Sequence, residues 1–258
     1  MIAIGDIAIR LNTCDPEFLA LLHNRYAGFV KPEALAEFDF DMDLLPSTFL
    51  DPQVDLTVSQ RAGRWVLDRG DFRAEFEPAS GHGRIRQTAN PYSIDAVLRI
   101  LHTLMLARQG GFLLHSASAI RNGKAFLFAG VSGAGKTTIS RLAPADATLL
   151  TDEISYVRKC DDTYVAFGTP FTGELARVGE NCSAPVEALY LLAQGPHNLM
   201  EPVAAADAGR ELLANMLFFA EDQEFVHKAF NAACNFVDRI PVFRLTFVPD
   251  ARVWEMIG

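Results

Sequence analysis

The sequence predicts an α/β fold: a phosphate-loop domain with a mixed sheet, preceded by a smaller, mainly antiparallel β domain. Three observations predict it. Residues 130–137 read Gly-Val-Ser-Gly-Ala-Gly-Lys-Thr, an uninterrupted G-x-x-x-x-G-K-[ST] loop set between an apolar run and a stretch that can continue as a helix. Short segments that alternate apolar and polar residues crowd the chain before residue 89. Asn90-Pro91 then opens a long helical pattern, and the boundary is placed before it, giving domains 1–89 and 90–258.

In order, Met1 to Leu11 alternates loosely and reads as one strand, and Asp15-Pro16-Glu17 starts a short helix over Phe18 to Leu22. Strands are expected at Phe38 to Leu44, Val54 to Val58, Arg64 to Leu67 and Phe72 to Phe76. Asp39, Asp41 and Asp43 share one strand face, read as solvated because no oxygen-rich turn lies among them to gather a cation. Gly81-His82-Gly83 has no lysine and no helix behind it, so it reads as a hairpin turn and not a second phosphate site.

After Pro91, the residues Ile94, Val97, Leu98, Leu101, Leu104 and Met105 form one helical stripe that ends at Gly110-Gly111. Gly111 to Ile120 reads as a strand that turns at Asn122-Gly123 into the apolar run Lys124 to Ala129. The helix after the loop stops at Pro144. Ala147 to Thr151 is a strand ending in Asp152-Glu153, and Ile154 to Lys159 pairs with Tyr164 to Phe167 across Cys160-Asp161-Asp162. Gly168 to Glu174 is too rich in turn residues to be regular and reads as a working loop. Strands at Val186 to Leu192 and Val242 to Phe247, two helical stretches between Ala206 and Val237, and a last helical turn around Trp254 complete the chain.

Composition narrows the partners. A net charge of −9 over 258 residues argues against nucleic acid and anionic membrane, both of which reward a basic surface. Cys14, Cys160, Cys182 and Cys234 are widely spaced, without a C-x-x-C pair, and read as reduced thiols, which points to the cytoplasm. No apolar run approaches the length of a membrane span, and Asp6 interrupts the first apolar stretch, so neither export nor membrane insertion is expected.

The loop fixes a ligand class. Its glycines let successive N–H groups turn inward, and a polyphosphate is the guest that such a cradle suits. Gly130, Val131, Ser132, Gly133, Ala134, Gly135, Lys136, Thr137 and Thr138 are therefore the expected ATP-binding residues. Lys136 would reach the outer phosphates, and the Thr137 hydroxyl would hold Mg2+. An apolar strand ending in acids is the expected magnesium side of such a site, which adds Asp152 and Glu153 to the metal set. Arg177, just past the Gly168 to Glu174 loop, would stabilise phosphate charge, with Arg141, Arg158 and Arg239 competing for that part. A guanine-specific N-K-x-D stretch and a transporter-type L-S-G-G-Q signature are both absent.

These residues resemble the HPr serine kinase/phosphorylase family, within the group that includes ATP-dependent phosphoenolpyruvate carboxykinase. His115 lies fifteen positions before Gly130, the Gly-Val-Ser-Gly-Ala-Gly-Lys-Thr-Thr loop is similar, and Leu149-Leu150-Thr151-Asp152-Glu153 looks like the strand and paired acids that follow. Gly168-Thr169-Pro170-Phe171-Thr172-Gly173-Glu174 and the terminal Pro241-Val242-Phe243-Arg244-Leu245 and Val253-Trp254-Glu255 resemble divergent members found beside peptide-modification and polysaccharide genes. The resemblance implies an HPr-kinase-like catalytic domain in which Asp152 takes the acceptor's proton, Glu153 supports the metal shell and His115 lies near the transferred phosphoryl group. It implies an ATP-dependent serine kinase, and the uncharged Gly168 to Thr172 loop beside apparent strands suits a peptide or protein acceptor better than a small metabolite. A nucleotide-binding regulatory or scaffold protein and a carboxykinase-like or small-molecule kinase are the alternatives; homo-oligomers are left open.

Overall fold

The computed structural model describes residues 1–46, 54–219 and 222–258. It is a mixed α/β structure that divides into two compact units, Met1–His102 with Phe218–Val226, and Thr103–Leu217 with His227–Gly258.

The first unit carries β1 (Ile2–Ile4), β2 (Ile7–Asn12), α1 (Pro16–Arg25), β3 (Phe38–Leu45), β4 (Thr57–Arg61), β5 (Arg64–Arg69), β6 (Phe72–Phe76), β7 (His82–Thr88) and the first part of α2 (Pro91–Arg108). The apolar run 1–11 is a hairpin and not the single expected strand. Gly5 and Asp6 both take positive φ, 60° and 67°, as a tight two-residue turn requires. The seven strands run in the order β1-β2-β3-β7-β6-β5-β4. Most pairings are antiparallel, but β3 lies parallel to both of its neighbours, β2 and β7. An alternating pattern cannot announce that direction, since period two is common to both ladder types. Gly81 supplies the expected turn, while His82 and Gly83 already belong to β7, a strand absent from the sequence-based expectation. The expected strand at 54–58 forms later, as β4.

Alternation fixes the faces of this sheet. Phe38, Phe40, Trp65, Leu67, Phe76 and Ile85 are buried, and the Phe38 and Phe76 rings meet edge to face with centroids 5.9 Å apart. On the other face Arg10 donates to Asp39 at 3.0 Å, Asn12 to Asp39 at 2.6 Å and Arg84 to Asp43 at 2.8 Å. The acidic row is thus answered by its neighbours across the sheet. Asp15 caps α1 by accepting from the Phe18 N–H at 2.9 Å.

In α2 the expected apolar stripe is buried except for the half-buried Met105, but so are Ser93, Asp95, His102 and Thr103, so the helix is covered nearly all round. The Asp95 carboxylate is held by the Arg25 guanidinium and by the Tyr26 hydroxyl at 2.5 Å. Burial pushes the His102 imidazole down to about 3.

The second unit holds β8 (Phe112–Arg121), β9 (Lys124–Ala129), α3 (Lys136–Arg141), β10 (Thr148–Thr151), β11 (Ile154–Cys160), β12 (Thr163–Phe167), β13 (Ser183–Gln194), β14 (Leu199–Pro202), α4 (Ala205–Asn215), most of α5 (Gln223–Val237) and β15 (Val242–Phe247), with a closing 3-10 turn at Ala251–Met256. Asn122 and Gly123, at φ 52° and 75°, make the expected β8–β9 turn. β9 lies between antiparallel β8 and parallel β13, which in turn runs parallel to β15. Leu127, Leu189, Phe236 and their neighbours fill one apolar layer; Phe126, Phe128, Ile139 and Trp254 fill another. Adjacent β9 residues serve different layers because side chains alternate along a strand. Trp254 donates its indole N–H to the Ile139 carbonyl at 3.1 Å, tying the C-terminal turn to α3.

Candidate phosphate site

β9 ends at Ala129, the loop occupies 130–135, and α3 begins at Lys136, so the strand, loop and helix fall where the motif requires. The loop closes on itself through Ala134 N–H to the Val131 carbonyl at 3.0 Å, and Gln194, at the end of β13, donates to the Gly133 carbonyl at 2.6 Å. Gly135 has φ 113°, and a Cβ there would stand 2.7 Å from the Phe247 ring, so both conformation and space demand glycine. The Lys136 ammonium donates to the Gly130 carbonyl at 2.7 Å. Burial lowers the pKa of this lysine, while the nearby Glu153 and Glu174 pull it the other way.

Facing the loop, the end of β10 delivers Asp152 and Glu153. The Thr151 hydroxyl accepts the N–H groups of Glu153 and Ile154, each at 3.1 Å, and fixes the backbone of this corner. Asp152 is 2% exposed and accepts from the N–H groups of Gly173 and Leu175, each at 2.9 Å. Glu153 is more open, and its Oε1 lies 3.7 Å from Nδ1 of His115, which β8 places opposite Ile154. Glu174 reaches the loop itself: the Thr137 hydroxyl donates to its Oε2 at 3.2 Å. Gly173 allows this approach, since a Cβ there would sit 2.8 Å from Oε2 of Glu153 and 3.1 Å from Oδ2 of Asp152.

His115, Ser132, Gly133, Gly135, Lys136, Thr137, Thr138, Asp152, Glu153, Gly173 and Glu174 together line a cleft of about 390 Å³. Neither Arg177, expected to stabilise phosphate charge, nor its three competitors for that part line the cleft. Arg177 and Arg141 are exposed and do not line the cleft, Arg158 stands over the Phe167 ring, and Arg239 pairs with Asp162. Gly173 and Glu174 close the turn-rich stretch that the sequence marks as a working loop, without a role of their own among the expected site residues. The Gly-Glu pair at its end was the available signal. The loop and the segment that follows it occupy the outer edge of β10, where Thr169 N–H donates to the Leu150 carbonyl and Glu180 N–H to the Leu149 carbonyl, each at 3.0 Å. All four cysteines are free, and no helix among the described residues is long and apolar enough to cross a membrane.

Comparison with known proteins adds three findings. None of the curated proteins matches the sequence. Among solved structures the chain is similar to the Hpr(Ser) kinase/phosphatase from Coxiella burnetii, at 10% identity, covering 52% of this chain and 84% of that one; the TM-score of 0.29 is too low to carry an argument. The family model described as SynChlorMet cassette protein ScmC matches residues 92–258, which take in the phosphate loop, both acids of the β10 corner and the Gly173-Glu174 turn. That match spans more than half of the chain, and the chain belongs to the ScmC family of SynChlorMet cassette proteins.

Proposed function

We propose that the protein is an ATP-dependent kinase that transfers the γ-phosphoryl group to a serine-type hydroxyl on a peptide or protein. One observation carries the reading: a single cleft joins a complete phosphate loop, with Lys136 and Thr137, to Asp152, Glu153, Glu174 and His115. Phosphoryl transfer asks a protein mainly for positioning and charge neutralisation, with a carboxylate or imidazole near the attacking hydroxyl.

The residues fit Mg-ATP. The Lys136 ammonium rests on loop carbonyls, contacts that phosphate oxygens can replace with stronger, charge-assisted ones. The Thr137 hydroxyl, with its proton directed to Glu174, keeps oxygen lone pairs for a cation. Among the described residues no three His, Cys, Asp or Glu form a nest able to hold a metal unaided, so the phosphates and water must complete the shell. Bound there, magnesium would offset the negative charge of the transferring group.

The acceptor class rests on the motif's likeness to protein-serine kinases. Because the outer edge of β10 is already occupied by Thr169 and Glu180, the acceptor does not add to the sheet there. We assign residues 1–89, which contain no glycine-rich phosphate loop, to acceptor recognition or packing and not to nucleotide binding. A second reading, a nucleotide-binding regulatory protein with little turnover, is favoured by the engagement of both Asp152 oxygens with backbone donors. Radiolabelled ATP separates the two. Saturable labelling of a peptide or protein encoded in the same cassette is the expected result; labelling of sugars, polyols or hydroxy acids alone, or binding with no transfer to any acceptor, would overturn it.

A further inference from the structure

Asp152 is the acid that the resemblance casts as the base, yet its surroundings suit a different task. A general base must reach the proton it takes. Asp152 is almost wholly buried, with Oδ1 accepting from Gly173 N–H and Oδ2 from Leu175 N–H. The residue between those two donors is Glu174, whose carboxylate meets the Thr137 hydroxyl. We propose that Asp152 is a positioning residue that pins the Gly173–Leu175 turn, so that Glu174 becomes the acidic partner of Thr137 on the cation side of the loop and the acceptor's proton falls to Glu153 beside His115. The inference rests on the kinase reading above and assigns roles within that site.

Three further features point the same way. Phe171 is fully buried, and its carbonyl accepts from the Thr151 hydroxyl at 3.4 Å, so the residue before Asp152 also ties the strand-end corner to the segment that leads into the turn. Gly173 leaves no room for a side chain against the two acids, which keeps the turn seated. Glu153, by contrast, has a side chain 28% exposed and lies beside a half-open imidazole rather than under backbone donors. Thr137 has one hydroxyl proton; giving it to Glu174 turns its lone pairs toward the loop, the orientation that a phosphate-bound cation needs. In the transfer itself the acceptor oxygen bonds to the γ-phosphorus as the bond to the β-phosphate oxygen breaks. ADP leaves with that electron pair, and the hydroxyl proton passes to the Glu153 carboxylate.

The test combines amide hydrogen exchange at Gly173 and Leu175 in the nucleotide-free protein with ATP affinity measured across a magnesium titration. In Asp152→Asn one carboxylate oxygen becomes an NH2 group facing a backbone donor, so exchange at these two amides should rise about tenfold or more. Asp152→Asn and Glu174→Ala should share a loss of about tenfold in the magnesium-dependent part of ATP affinity, with magnesium-free affinity unchanged. Glu174 is exposed, so its variant keeps the assay readable if Asp152→Asn fails to fold. Glu153→Gln should leave exchange and magnesium dependence as in the parent and lower transfer about a hundredfold. Parent-like exchange and magnesium dependence in Asp152→Asn with transfer abolished would make Asp152 the base and overturn the proposal, as would unaltered magnesium dependence in Glu174→Ala. If the parent protein binds no ATP, the kinase reading fails, while exchange at Gly173 and Leu175 still judges the anchoring role.

Discussion

The acids of the first unit and those lining the cleft of the second are treated in opposite ways, although outside the cleft the second unit too pairs acids with cations, as Asp162 with Arg239. In the first, Asp39 meets Arg10, Asp43 meets Arg84, Asp68 meets Arg73, Asp71 meets Arg69 and Asp95 meets Arg25. In the second, at the cleft, Asp152 meets backbone N–H groups, Glu174 a threonine hydroxyl and Glu153 a histidine, while the nearby lysine turns to loop carbonyls. A carboxylate matched by a guanidinium within its own unit has its charge answered. On the proposed reading the acids beside the phosphate loop, held instead by backbone amides, a hydroxyl or an imidazole, serve the ligand: Glu174 its cation, Glu153 the acceptor's proton and Asp152 the turn that carries Glu174. The contrast separates structural acids from working ones without appeal to their position in the sequence.

Breaking a structural acid should change stability and spare binding. In Asp95→Ala the partly buried Arg25 guanidinium and the buried Tyr26 hydroxyl lose their shared partner, an expected cost of about 3 kcal/mol in unfolding free energy by denaturant titration, with ATP affinity unaltered. Loss of ATP binding at parental stability would contradict the division. The exposed Arg84–Asp43 pair should contribute under about 1 kcal/mol, since water screens it.

A smaller effect sharpens the working side. Burial lowers the Lys136 pKa, and phosphate binding favours its charged form. As pH rises through that lowered value, the free protein loses the proton that the complex retains. ATP affinity should therefore be flat at lower pH and fall on the alkaline side by at most about tenfold per pH unit, with proton uptake on binding. Calorimetry in buffers of different ionisation enthalpy reads that uptake, and Lys136→Ala should remove it; uptake that persists in the variant would assign it to another group.

What was legible in the sequence was local. The phosphate loop, its strand and helix, the Asn122-Gly123 turn and the β10 acids are each set by contiguous residues whose spacing is itself the signal. Relations between distant segments were not legible. The parallel placement of β3, the all-round cover of α2 and the Gly5-Asp6 hairpin depend on what packs alongside or on backbone angles that alternation does not encode. The same limit hid Glu174, which joins Thr137 from 37 positions away only because Asp152 holds the turn that carries it. It also governed Arg177, whose nearness in sequence to the working loop does not bring it into the cleft lining.

Titration calorimetry of the parent protein and Lys136→Ala decides whether the cleft around Lys136 binds Mg-ATP as proposed. The parent should bind at one site per chain. The variant, deprived of the charge-assisted contact to the outer phosphates, should bind about 2–5 kcal/mol more weakly while unfolding as one cooperative transition. Equal affinity in the two proteins, or no saturable binding by the parent, would contradict it.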